Sequence, residues 1–469
     1  MKLRAAPTAY IARITGLVVT VLAVTVLVVT VVAVAGCGSN TNGDAATDPT
    51  EVLPTSPASN LDATQGLATS TQTVLDVDDP VGTQAATTPA TAPPDLTSGS
   101  ATVPPQALIT DGAGPTGPLA EVTRGWGTDF SRRIIELDEL LIGIQAIPIR
   151  DRIPPIDNPQ FVPIAEVGWA DQEPGLVLVD GTEARFYPLA MLIVHEIVND
   201  EINGRPVTVT YCPLCNSALV FNPEVEGQTL RFGTSGLLRN SDLVMWDDAT
   251  ESLWQQIGGQ SLVGAYAGYR LEVIGSAIVS YGDFSDSYPQ GTVLTAPGRP
   301  ASTYGNNPYV LYSSRDVPYQ GFFDASQLDE RYPALERTVG VTINGIAKAY
   351  PFTTVQAAQA INDTVADVPV VVWWSAGTAD ALDAAQTAQG ADIGAALAFE
   401  RRLADGTVLG FFPSGDAQFS DDVTGSVWNL LGHAISGELS GSRLTPVVHT
   451  NEFWFAWSAF NPQGEVYTP

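Results

Sequence analysis

Between Val207 and Phe221 the chain reads VTVTYCPLCNSALVF, with Val207, Val209 and Tyr211 alternating against Thr208 and Thr210. A period of two over β-branched and aromatic residues predicts a strand. Pro213 has no amide hydrogen to give a ladder, so the strand stops there and leaves Cys212 and Cys215 at its end. Upstream, YPLAMLIVHEIVND predicts a helix entered through Tyr187-Pro188, with the proline in its first turn. Met191 and His195 are four apart on it and share a face. Still earlier, Asp180-Gly181 follows a strand-like run and marks a two-residue hairpin turn.

The same pattern returns later in the chain. Residues 184–219 align without a gap on residues 347–382: Tyr187-Pro188 meets Tyr350-Pro351, Asn199-Asp200 meets Asn362-Asp363, and Pro206 meets Pro369. Asn344-Gly345 repeats the hairpin turn, and Thr250, Ser252 and Trp254 recur as Thr424, Ser426 and Trp428. Gly264 and Gly268 recur as Gly437 and Gly441. Two copies at this spacing predict a duplicated fold rather than a solenoid. Each copy reads as a hairpin, one helix, a central strand, then further strands ending in an aromatic-rich stretch. Tyr281, Phe284 and Tyr288 form that stretch in the first copy, and Trp454, Trp457 and Phe460 in the second. The expected fold class is α+β, strand-rich, internally duplicated and two-lobed, with one main helix per repeat.

Composition shortens the foldable part. Lys2, Arg4 and Arg13 precede a charge-free, mostly apolar run ending in Val34-Ala35-Gly36-Cys37. It reads as a lipoprotein signal peptide with Cys37 lipidated, or as an uncleaved membrane anchor. Residues 38–106 are rich in Thr, Pro, Ala and Ser and too poor in large apolar groups to fold, so they read as a disordered tether. The expected divisions are 1–37 signal or anchor, 38–106 tether, 107–175 the start of the globular region, 176–300 repeat 1 and 301–469 repeat 2. This predicts an extracytoplasmic protein held to the membrane by its N-terminal lipid or helix. The formal charge of −30, from 51 acidic and 21 basic residues, argues against nucleic acid as a partner. No protein partner can be named.

Duplication also sorts the chemistry. Residues shared by both copies serve the common scaffold. Those in one copy alone are not required by it. At His195, Cys212 and Cys215 the second copy has Ala358, Ser375 and Thr378. The first copy is therefore expected to carry a centre at His195, Cys212 and Cys215, since thiolates three residues apart and an imidazole are soft-metal ligands. Met191 and Met245 are weaker candidates, with core packing as their bland alternative. Thioether in the shell would favour copper, its absence zinc. Arg239, Asn240, Ser241 and Asp242 are read either as a ligand pocket beside the cysteines or as a solvated turn. The competing readings of the cysteines are a dithiol–disulfide oxidoreductase pair and an inert local disulfide in a cell-surface interaction module. There is no phosphate-binding loop for a nucleotide. Haem attachment needs His after Cys215, where Asn216 stands.

The blocks HEIVND, VTYCPLCNSALVF, FGTSGLLRNSDLVMWD, TESLWQQ, YGNNPY and FWFAWSAFNP resemble the family known as domain of unknown function 3179, over about residues 125–469. The resemblance implies an exported prokaryotic protein, often a lipoprotein, and implies no biochemical role.

Overall fold

The computed structural model describes residues 108–295 and 303–469, so Cys37 and the expected signal and tether lie outside the described residues. The first hairpin pairs Pro174–Asp180 (β1) with Glu183–Pro188 (β2), Asp180 standing opposite Glu183. Gly181, at φ +56°, begins its turn. In the later hairpin, with Ile343 opposite Ile346, Asn344 and Gly345 occupy the turn at φ +50° and +80°. That is the left-handed pair that Asn-Gly accommodates.

From β2 the chain enters helix α1, Leu189–His195, which buries every residue except Val194. Glu196 ends it at φ +59°, its amide bonded to the Leu192 carbonyl and its own carbonyl accepting the Tyr211 amide at 2.8 Å. A non-glycine residue is uncommon there. Two backbone bonds hold it. Strands Ile197–Ile202 (β3), Arg205–Cys212 (β4) and Ser217–Asn222 (β5) follow, joined later by Glu272–Ile274 (β10) in the order β10-β5-β4-β3. The alternation in β4 suggests one wet face. Instead Thr208 and Thr210 are as buried as the valines. Thr210 is tolerated because its hydroxyl donates to the Leu219 carbonyl at 2.9 Å and accepts from Gln256 at 3.0 Å. Phe232–Arg239 (β6), Asp242–Asp247 (β7), Leu253–Gln255 (β8) and Ser261–Val263 (β9) form a meander. Ala277–Ser280 (β11) and Thr292–Leu294 (β12) flank the first hairpin in the order β11-β1-β2-β12.

The later part of the chain has Arg337–Ile343 (β13), Ile346–Pro351 (β14), helix Phe352–Ala358 (α3), Ala360–Val365 (β15), Val368–Ser375 (β16) and Ala395–Glu400 (β17). Then come Phe411–Gly415 (β18), Gln418–Asp421 (β19), Val427–Asn429 (β20), Ala434–Ser436 (β21), Thr445–Pro446 (β22), His449–Phe453 (β23) and Glu465–Val466 (β24). Its sheets run β23-β13-β14-β24, β22-β17-β16-β15 and β18-β19-β20-β21.

The aromatic-rich stretches differ from expectation. They are helices: Tyr281–Ser287 (α2) and Trp454–Phe460 (α4), so each half holds two seven-residue helices rather than one. A signal was present for α2, because Ser280 caps it by accepting the Asp283 amide at 3.0 Å. Residue pairs common to both halves make the same contacts. Tyr187 and Tyr350 donate to Asp200 and Asp363 at 2.6 and 2.9 Å. Asn199 and Asn362 each clamp the backbone of a phenylalanine, Phe232 and Phe411. Trp254 and Trp428 are fully buried and donate to Asp247 and Asp421 at 2.8 and 3.1 Å. Gly264 and Gly437 sit at φ +111° and +94°, and a Cβ on either would fall about 2.5–2.6 Å from Ser252 or Ser426.

Hydrophobic packing does not follow the chain's halves. One apolar cluster joins Tyr211, Phe221 and Trp254 to Phe453 and Phe455, and another joins Phe186 and Phe284 to Trp373 and Trp428. The described residues fall within one compact unit.

Candidate metal centre

Strand β4 ends at Cys212, which pairs with Ser217, so Pro213 to Asn216 make the turn into β5. The Cys215 amide reaches the Cys212 carbonyl at 3.3 Å, and Asn216 takes the left-handed conformation at φ +52° that lets the chain turn back. Both thiols are thereby fixed on one tight hairpin, a placement that suits two adjacent ligands of a tetrahedral ion. They are free, and 2 % and 0 % exposed.

A second hairpin brings a third donor. Asn240 and Ser241, at φ +51° and +63°, are the two turn residues between β6 and β7, with Arg239 opposite Asp242. The tract read as pocket or solvated turn is thus a turn whose far end is wholly buried: Asp242 is 0 % exposed. Donor atoms of Cys212, Cys215 and Asp242 all lie within 4.8 Å of one another. Asp242 Oδ2 accepts from Gln255 at 2.5 Å and from the Ile257 amide at 2.8 Å. Its Oδ1 is buried without a partner. Cys212 donates weakly to the Ser241 carbonyl at 3.7 Å.

Other expected site residues are placed elsewhere. His195, expected beside the thiols, stands outside this trio. Its Nδ1 donates to the Pro154 carbonyl at 2.7 Å, so in the neutral ring Nε2 accepts from the Tyr304 hydroxyl at 3.0 Å. Met191 and Met245 pack in the apolar cluster that also holds the cysteines. Arg239 pairs with Glu139 at the margin and donates to Gln255 at 3.3 Å, the glutamine that holds Asp242.

Charge is the unusual feature of the neighbourhood. Burial pushes both thiols up, Cys215 well above its ordinary value with Cys212 adding to the effect. Burial raises Asp242 to about 7, against the hydrogen bonds from Ile257 and Gln255. Burial, with the Asp242 charge beside it, raises Glu196 to about 8. Glu452 is raised to about 8 for the same two reasons. Among the described residues, no ion pair joins Asp242, Glu196 or Glu452 to a cation. Such a group must stay protonated or be neutralised by something that enters.

The centre is enclosed. Residues 303–336 lie between the two halves, and Tyr312 in this segment donates to the Leu214 carbonyl at 2.9 Å. Phe322 accepts the Ser241 amide at 2.8 Å, and the Phe453 amide from β23 reaches the Cys215 carbonyl at 2.9 Å. A groove of about 500 Å³ runs past Asp157, Asn199, Thr208 and Arg231, and neither thiol lines it. Asp242 was read only as one residue of a tract beside the cysteines and not as a third donor, because tertiary packing carries it to the thiols. The one sequence signal for Asp242 was its place in the Arg239–Asp242 tract.

The family model described as protein of unknown function (DUF3179) matches residues 150–464, and the chain belongs to that family. No curated protein and no solved structure matches it.

Proposed function

We propose that this protein holds one divalent metal ion, zinc by preference, at Cys212, Cys215 and Asp242. The carrying observation is that a carboxylate oxygen of Asp242 lies within 4.8 Å of two free thiols, on a side chain whose buried Oδ1 has no hydrogen-bond partner. A dication there accepts the orphaned oxygen and neutralises the thiolates and carboxylate that burial otherwise keeps protonated. Two sulfurs with a carboxylate favour a borderline dication. Copper(I) prefers thiolate and thioether, and here the third donor is an oxygen. Burial of all three donors supports a resident ion over cargo for delivery. The oxidoreductase reading has less support, since a reactive thiol needs a lowered pKa and some exposure. His195, held by Pro154 and Tyr304, is then left out of the ligand set.

We also infer that the two halves are copies of one unit, supported by their matching strand orders and shared hydrogen bonds. Export and anchoring through Cys37 remain part of the proposal. Cys37→Ser is expected to leave a larger precursor without lipid labelling, and unchanged mass and labelling would show an uncleaved anchor instead.

The metal reading is tested by titrating the purified full chain with zinc against a chromophoric chelator. About one tight equivalent is expected, with affinity reduced by about a hundredfold or more in Cys212→Ser. Equal affinity in the variant would remove the thiols from the site.

A further inference from the structure

A closed tetrahedral site takes four ligands, and the trio supplies three. Glu452, on β23 in the second half, is 1 % exposed, and its Oε2 is buried with no hydrogen-bond partner. Across the ladder it faces Thr338, whose Oγ1 is likewise buried and unpartnered. A carboxylate oxygen and a hydroxyl on paired strands are thus each left buried without a partner, which is costly to keep unless something binds there.

The position of Glu452 ties it to the thiols. The next residue, Phe453, donates its amide to the Cys215 carbonyl at 2.9 Å. Glu196 is the rival candidate, 8 % exposed and also near Asp242. Its own carbonyl accepts the Tyr211 amide beside the cysteine turn, but of the two only Glu452 has a buried carboxylate oxygen without a partner. Both ring nitrogens of His195 are already engaged.

We propose that Glu452 is the fourth ligand, so that the ion is bound between the two halves of the chain. This rests on the metal reading of Cys212, Cys215 and Asp242. Glu452 stands outside the trio whose donors lie within 4.8 Å, so loading draws its carboxylate inward by rotation about its side-chain torsions. Each donor releases to solvent whatever proton it holds as the ion enters. Two thiolates and two carboxylates around a dication leave the same formal charge as a four-cysteine zinc site. That donor set favours zinc, cobalt(II) or iron(II) over copper(I). It also explains why neither half could hold the ion alone: Ser375 and Thr378 replace the thiols in one, and the glutamate comes only from the other.

Cobalt(II) is the probe, titrated optically into the full chain. The wild type should show thiolate-to-cobalt absorption and the intense visible bands of a four-coordinate ion. Glu452→Gln should keep the thiolate absorption, weaken the visible bands and lower affinity by about tenfold or more. Glu173→Gln, a buried acid elsewhere, should titrate as wild type. A Glu452→Gln chain with wild-type spectrum and affinity overturns the proposal. Cobalt binding unaffected by Cys212→Ser would instead overturn the trio itself. Should Glu452→Gln not fold, hydrogen exchange on the wild-type chain decides: cobalt must slow exchange at Phe453 and along β23, and no slowing there overturns the proposal.

Discussion

Burial of carboxylates recurs beyond the thiols, and Glu173 shows its effect in isolation. Glu173 is 1 % exposed, accepts the Thr387 hydroxyl at 2.9 Å, and has its carboxyl raised by burial to about 7. Desolvation outweighs the hydrogen bonds from Thr387 and the Ala190 amide. Because the folded value lies above the unfolded one, Glu173 stabilises the fold fully below pH 4.5, the ordinary value. That contribution is lost as pH rises through about 7, to a limit of roughly 3 kcal/mol. Glu173→Gln keeps an acceptor for Thr387 and removes the titration. Urea midpoints for the two chains should therefore converge at acidic pH, with the variant the more stable at pH 8. Parallel profiles across that range would mean that Glu173 does not titrate between the two values.

Among elements, those set by local pattern were legible in the sequence. The proline-terminated strand ends at Cys212, and the helix after Tyr187-Pro188 ends at His195. Asn344-Gly345 makes the turn its residue types demand. The short helices α2 and α4 were not read, because seven residues give only two turns of the 3.6 period and aromatic residues suit strands as well. The segment 303–336 had no periodicity to announce a role, yet it covers the cysteine turn. Tyr312 is its fixing point, fully buried, stacked on Tyr319 with ring centroids 4.6 Å apart and bonded to Leu214. Tyr312→Phe keeps the stacking and deletes that one bond, leaving the Leu214 carbonyl short of a donor. A loss of about 1–2 kcal/mol is expected in chemical denaturation, with faster amide exchange in the turn at 213–216. An unchanged midpoint would show that water replaces the hydroxyl and that the segment does not depend on this contact.

At the scale of the whole molecule, the strand-rich α+β character was legible in the sequence, whereas the sharing of apolar clusters between early and late parts of the chain was not. Periodicity reports which face of an element is buried and says nothing of which distant element covers it. For the same reason the cysteines stood out in the sequence, Asp242 only as part of the Arg239–Asp242 tract, and Glu452 not at all. The gapless sequence alignment of residues 184–219 on 347–382 gives the last prediction. Ser375 and Thr378 stand in the second half where Cys212 and Cys215 stand in the first, and β16 ends at Ser375 as β4 ends at Cys212. Ser375 and Thr378 are 5 % and 1 % exposed, so that turn already buries hydroxyls, even leaving Thr378 Oγ1 unpartnered. The double substitution Cys212→Ser, Cys215→Thr should therefore fold. Its cost should be about 1–3 kcal/mol, because a hydroxyl is harder to bury than a thiol. Circular dichroism and urea denaturation of the metal-free chains would report that loss, and zinc content should vanish with it. A double variant that stays unfolded would make the cysteines a structural clasp on which the first half depends. One that folds with full zinc content would place the ion elsewhere in the chain.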